Sequence, residues 1–205
     1  MNNVSHFTNL NTLFNFIKNW THWVKCIFSQ KLYISIQQTW YNYCEKFHII
    51  NGGIDMKAYE YLKPGHAQLT DKEKPTITSS TDAIIRIVKT TICGTDLHII
   101  KGDTPEVKSH TTLGHEGIGI IEEIGDNVNN FKVGDKVIIS CISSCGKCYY
   151  CKKGIYAHCE NGGGWILGHL VNGTQAEYVK VPFADNSLYH APSNLKDDAL
   201  VMLDR

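Results

Sequence analysis

The hydrophobic positions of this chain change their period part way along it. Leu10, Leu13, Phe14, Ile17, Trp20, Val24, Ile27 and Phe28 recur at helical spacing and predict an amphipathic helix able to dock on a partner or a membrane surface. Further on, short β-branched runs take over, at Ala83 to Val88, Gly117 to Ile124 and Lys136 to Ser140. Gly125-Asp126-Asn127 reads as a tight turn, and Gly134-Asp135 opens the strand that follows. Leu195 to Leu203 returns to a helix-like pattern. These patterns predict a mainly antiparallel β-domain from residue 56 onward.

Composition sharpens the break. Residues 1–55 hold eleven of the 21 aromatic residues but only six charged ones. They lack the basic start, compact apolar core and small-residue cleavage site of a secretory signal, and are not Arg-rich like a mitochondrial presequence. Asn, Phe, Ile, Lys and Tyr dominate the segment, and all have AT-rich codons. Gly52-Gly53 lies a few codons before Met56, where an in-frame GGAGG ribosome-binding sequence would stand. The expectation is a non-homologous leader over 1–55, mistranslated from upstream sequence, with Met56 as initiator and one domain over 56–205. Codons at 52 and 53 that spell no purine-rich run would remove its support.

Charge and length exclude several classes. At 205 residues the chain has room for a domain or a domain and a half. Twenty Lys plus Arg balance twenty Asp plus Glu, so the basic field that polyanion binding needs is missing. Lys147, Lys152 and Lys153 have no wider basic surface around them, which argues against nucleic acid. No apolar run approaches the ~18 to 20 residues of a membrane span.

The eight cysteines sort by spacing. Cys145, Cys148, Cys151 and Cys159 form C-x2-C-x2-C-x7-C in a loop containing Gly and Lys. Four thiolates this close suit tetrahedral zinc, with Zn–S near ~2.3 Å. A ferredoxin-type run has a shorter last spacer followed by Pro, whereas Glu160 follows Cys159. A colourless protein would exclude iron–sulfur. Disulfides are disfavoured, because no secretory signal precedes the cluster. A closed four-thiolate site leaves no position for substrate, so it braces the loop and chemistry must be sought elsewhere. Cys141 reads as a buried small hydrophobe, and Cys26 and Cys44 receive no role.

A second constellation supplies the open-site ligand types. Cys93-Gly94-Thr95-Asp96-Leu97-His98 follows a β-branched strand, and Gly114-His115-Glu116-Gly117 leads into another. Taken singly, His98 reads as an exposed strand-end residue, Thr95 as a turn hydroxyl and Glu116 as a surface carboxylate. His110, His158 and His169 read as structural or solvent-facing. Trp165 reads equally as a pocket wall or a packed core residue.

With these motifs, the Val133-Gly134-Asp135-Lys136-Val137 turn and the four-cysteine lobe, residues 56–205 resemble the N-terminal, GroES-like catalytic domain of zinc-dependent medium-chain alcohol dehydrogenases, particularly the bacterial type. The resemblance implies a mainly β (α+β) fold, a partly open β-barrel with a zinc-binding lobe. It implies two zinc ions: a structural one on Cys145, Cys148, Cys151 and Cys159, and a catalytic one on Cys93 and His115, with Glu116 a ligand in the resting or exchanging state. Asp96 would accept the N–H of His115, Thr95 would hydrogen-bond the substrate oxygen, and His98 would pass the proton to solvent. Zinc supplies the acidity an alcohol needs before its carbon can release hydride, as it does in lowering bound water to a pKa near ~7.

The resemblance further implies an NAD or NADP cofactor on a Rossmann domain, small alcohol and aldehyde or ketone partners, a cytoplasmic location and a homo-oligomer when full-length. No Gly-x-Gly-x-x-Gly follows a strand here, and Gly117-Ile118-Gly119 has only the first half. Gly94 stands where some relatives carry a basic residue for coenzyme phosphate. The expectation is therefore a fragment lacking the Rossmann domain, inactive alone, with Asp204 a candidate further zinc ligand. The competing class is a zinc-stabilised, non-enzymatic binding module in which only the four-cysteine lobe is occupied.

Overall fold

The computed structural model describes residues 55–203. The expectations placed on residues 1–54, among them the helical pattern, Cys26, Cys44 and Gly52-Gly53, lie outside the described residues, as does Asp204.

Eight strands make two antiparallel sheets among the described residues, and neither closes into a complete barrel. The larger sheet holds β3 (Ala83–Thr90), β5 (Gly117–Ile124), β6 (Lys136–Ile139), β7 (Tyr178–Val181) and β8 (Leu188–His190), in the order β7-β3-β5-β6-β8. The three β-branched runs read from the sequence are its centre. Their inward side chains, including Ile85, Ile121, Val137 and Ile139, are buried with Phe131, Leu167, Val179 and Val181. Gly119 is required there, since a Cβ would lie 2.4 Å from the Arg86 carbonyl oxygen, where the β3–β5 register shifts.

The smaller sheet was not legible as hydrophobic periodicity. It comprises β1 (Asp55–Lys63), β2 (His66–Glu73) and β4 (Thr111–Thr112), in the order β2-β1-β4. Strand β2 reads HAQLTDKE and has no fully buried residue, so main-chain pairing with β1 and the Pro64-Gly65 turn define it instead. Gly65 takes a positive φ of 76° at that turn. Residues 173–177 stitch this sheet to the rest: Tyr59 N–H donates to the Gln175 carbonyl at 2.8 Å, and Gln175 N–H to the Leu113 carbonyl at 2.9 Å.

Helices are short. Helix α1 (Gly94–Lys101) packs beside the β1–β2 hairpin, where Gly65 N–H meets the Ile100 carbonyl at 2.6 Å. Helix α2 (Tyr149–Lys152) and a 3-10 turn (Tyr156–His158) lie in the cysteine lobe, and α3 (Ala184–Ser187) precedes β8. The helix-like Leu195 to Leu203 pattern contracts to α4 (Asp197–Leu200) followed by turn. Its Lys196 N-cap makes no side-chain cap, and burial of Leu200 and Val201 against Ile118 and Ile138 holds the segment down.

Two candidate metal centres

The four-cysteine lobe is built by α2 and its flanks. Cys148 caps α2, accepting the Cys151 N–H at 3.5 Å, and the Cys145 N–H donates to Cys159 Sγ at 3.4 Å. The four sulfurs all lie within 4.8 Å of one another. A tetrahedral zinc at its usual sulfur distance holds its thiolates about 3.8 Å apart. Cys145 and Cys151 Sγ are 3.9 Å apart, so the donor set fits such an ion in kind and spacing. Burial opposes ionisation of Cys145, but the Lys147 N–H and the Asn161 amide outweigh it and draw the thiol down to about 6. Burial, reinforced by the neighbouring thiols, pushes Cys151 up to about 12. A metal bound here would displace the remaining thiol protons, so its affinity rises with pH.

The second centre joins two segments 22 residues apart in sequence. Cys93 Sγ stands 3.0 Å from His115 Nε2. Cys93 is not at a strand end, as the sequence suggests, but is the N-cap of α1, three residues beyond β3. Its Sγ accepts the Thr95 N–H at 3.3 Å, and the Asp96 carboxylate returns to the Cys93 N–H at 2.9 Å. This is a capping box with sulfur in the place usually taken by a hydroxyl.

Asp96 is only 1% exposed and serves both segments, because its other oxygen accepts the Gly114 N–H at 3.1 Å. Burial raises its carboxyl above the ordinary range, against these two donors and the nearby imidazole. The expected hydrogen bond from His115 is not made: Nδ1 lies 3.9 Å from Asp96 Oδ1 and is buried without a partner. Asp96 therefore holds the main chain of both ligand segments rather than the ring itself.

Glu116 places Oε1 4.0 Å from His115 Nε2, while Thr91 Oγ1 donates to its Oε2. Cys93, Asp96 and His115 offer ligand atoms within 4.8 Å of one another. A buried imidazole, a thiol facing its Nε2 and the Asp96 and Glu116 carboxylates nearby match the open-site zinc donor set in chemistry.

The remaining residues fall around these centres. Thr95 is half-buried next to Cys93, and His98 is exposed on α1 with Nδ1 2.8 Å from Asp103 Oδ2. Trp165 meets His115 edge-on at 6.1 Å and stacks on His169 at 4.1 Å, so of its two readings His169 takes the structural one. His110 reaches Glu60, and His158 lies against Tyr150. Cys141 is half-buried rather than buried. Sequence reasoning overlooked Thr90, Thr91 and Thr174, which hydrogen-bond Glu116, and Gln175, which bonds the Thr91 carbonyl; the Thr90-Thr91 pair just before Cys93 was the available signal.

A strand-rich domain thus carries a four-cysteine lobe and a separate cysteine–histidine–carboxylate cluster, each with donors suited to a metal ion. The family model for the alcohol dehydrogenase GroES-like domain matches residues 79–193, and the chain belongs to that family. An alcohol dehydrogenase of Cupriavidus necator is 39% identical over 162 residues, covering 72% of this chain and 44% of the relative. Among solved structures, a zinc-dependent alcohol dehydrogenase 2 from Streptococcus pneumonia, in its apo form, is 68% identical with a TM-score of 0.69, covering 72% of this chain and 42% of that one. The alcohol dehydrogenase TADH from Thermus sp. ATN1 is 30% identical with a TM-score of 0.67, covering 73% and 44%. The chain thus spans less than half the length of each of these relatives.

Proposed function

We propose that this chain is the catalytic domain of a zinc-dependent alcohol dehydrogenase that interconverts alcohols with aldehydes or ketones, using NAD or NADP in the complete enzyme. The observation that carries this reading is the 3.0 Å approach of Cys93 Sγ to His115 Nε2, with Glu116 beside them. Cys93, His115 and Glu116 would hold the catalytic ion, and Cys145, Cys148, Cys151 and Cys159 the structural one. Zinc at the first site supplies Lewis acidity that lowers the pKa of a substrate hydroxyl.

The chain's own residues then divide the work. Asp96 keeps the Cys93 and Gly114 segments in register through their N–H groups. Thr95, whose N–H meets Cys93 Sγ, would hydrogen-bond the substrate oxygen. His98 lies three residues further along α1 at the solvent boundary, and Asp103 on its Nδ1 leaves Nε2 to exchange a proton with water. The same reading assigns a small-molecule substrate, a homo-oligomer for the full-length enzyme, a cytoplasmic location and no role in nucleic-acid or membrane binding. Among the described residues no helix is long and apolar enough to cross a membrane.

Metal analysis tests the assignment. The protein should carry close to two zinc ions per chain, and Cys93→Ser should reduce this to one with the fold intact by circular dichroism. One ion in both proteins would contradict the enzyme reading and leave a zinc-braced binding module.

A further inference from the structure

Glu116 is held in a way that a surface carboxylate would not need. Its carbonyl oxygen accepts two hydroxyls, Thr90 Oγ1 at 2.8 Å and Thr174 Oγ1 at 3.0 Å, which fix the main chain. Its side chain is then free only about its own torsions, and Thr91 removes that freedom by donating its hydroxyl to Oε2. Thr91 is 4% exposed, and its own carbonyl is tied to the buried Gln175 side chain at 3.3 Å, so the main chain that carries the donor is held in place. The other carboxylate oxygen, Oε1, is left 4.0 Å from His115 Nε2.

The chemistry of the latch matters as much as its position. A lysine or arginine on Oε2 would neutralise the carboxylate and remove its attraction for a cation. A hydroxyl orients it and leaves its charge in place, with Oε1 turned toward His115. From these contacts we propose that Thr91 is a positioning residue for Glu116, presenting Oε1 as a single-oxygen third ligand to an ion at Cys93 and His115. This rests on the catalytic-zinc reading above and adds the group that sets the geometry of its third ligand.

The test is zinc affinity, measured by competition with a chromophoric chelator while the four-cysteine lobe stays loaded as an internal control of folding. Thr91→Val, which keeps the shape and deletes the hydroxyl, should raise the dissociation constant of the second ion about tenfold or more. Glu116→Gln should do the same, the double variant should be no weaker than either single one, and Thr91→Ser should restore the wild-type value. With cobalt in place of zinc, Thr91→Val should change the visible spectrum of the second site and leave that of the lobe unmoved. Wild-type affinity in Thr91→Val, wild-type affinity in Glu116→Gln, or additive losses in the double variant would each overturn the latch while the site stands. A second ion that survives Cys93→Ser would instead overturn the site, and the latch with it.

Discussion

Asp96 shows how one side chain can organise the main chain around a site. Its two oxygens receive the N–H groups of Cys93 and Gly114, so both ligand segments hang from one buried carboxylate. An asparagine keeps one acceptor and turns an NH2 toward the other N–H, leaving a buried donor unpaired. Asp96→Asn should therefore lose roughly 1–3 kcal/mol in urea unfolding of the metal-free protein, and should weaken binding of the second ion. Glu60 gives the pH dependence. Burial alone would raise its carboxyl, but the hydrogen bonds and charge of Lys72 and the contact with His110 outweigh it and hold the group below its ordinary value. A lowered folded pKa means the stabilisation is complete above the unfolded value of about 4.3 and is lost as pH falls through the folded one. Glu60→Gln should be less stable at neutral pH, and its stability should decline less steeply than wild type as pH is lowered through the carboxylate range.

At the scale of elements, what could be read beforehand was what burial writes into sequence. Strands β3, β5 and β6 are β-branched and inward-facing, and their limits fall close to those the pattern sets. Strand β2 has only Ala67 and Leu69 as apolar residues and is specified by pairing across the hairpin, so no sustained periodicity announces it. Helix α1 escapes because its cap is a cysteine and its length only eight residues, although Asp96 and the left-handed Gly102 mark its two ends. The metal-ligand types were legible from spacing for the four-cysteine lobe. Pairing Cys93 with His115 needed the two segments to be brought together, which β3 and β5 accomplish as neighbours in one sheet. The Thr91 latch was missed because a Thr-Thr pair at the end of a β-branched run is ordinary sequence, and only the fold brings Glu116 to it. The close β3–β5 approach is itself testable: Gly119→Ala drives a methyl against the Arg86 carbonyl and Ile85. That variant should lose about 1–3 kcal/mol in denaturant unfolding, with the four-cysteine ion still bound.

Across the described residues as a whole, the two sheets act as a frame and the two donor clusters sit in the loops it positions. The lobe gathers its ligands from one continuous stretch, Cys145 to Cys159, and needs little beyond its own turns. The second cluster draws on β3, α1 and the approach to β5, so it reports on the whole arrangement. That difference makes cadmium-113 NMR of the fully substituted protein the most direct measurement. Two resonances are expected, one in the four-sulfur region that disappears in Cys148→Ser, and one shifted by a nitrogen ligand that disappears in His115→Ala. A single four-sulfur resonance, unaffected by His115→Ala, would contradict a second metal centre at Cys93 and His115.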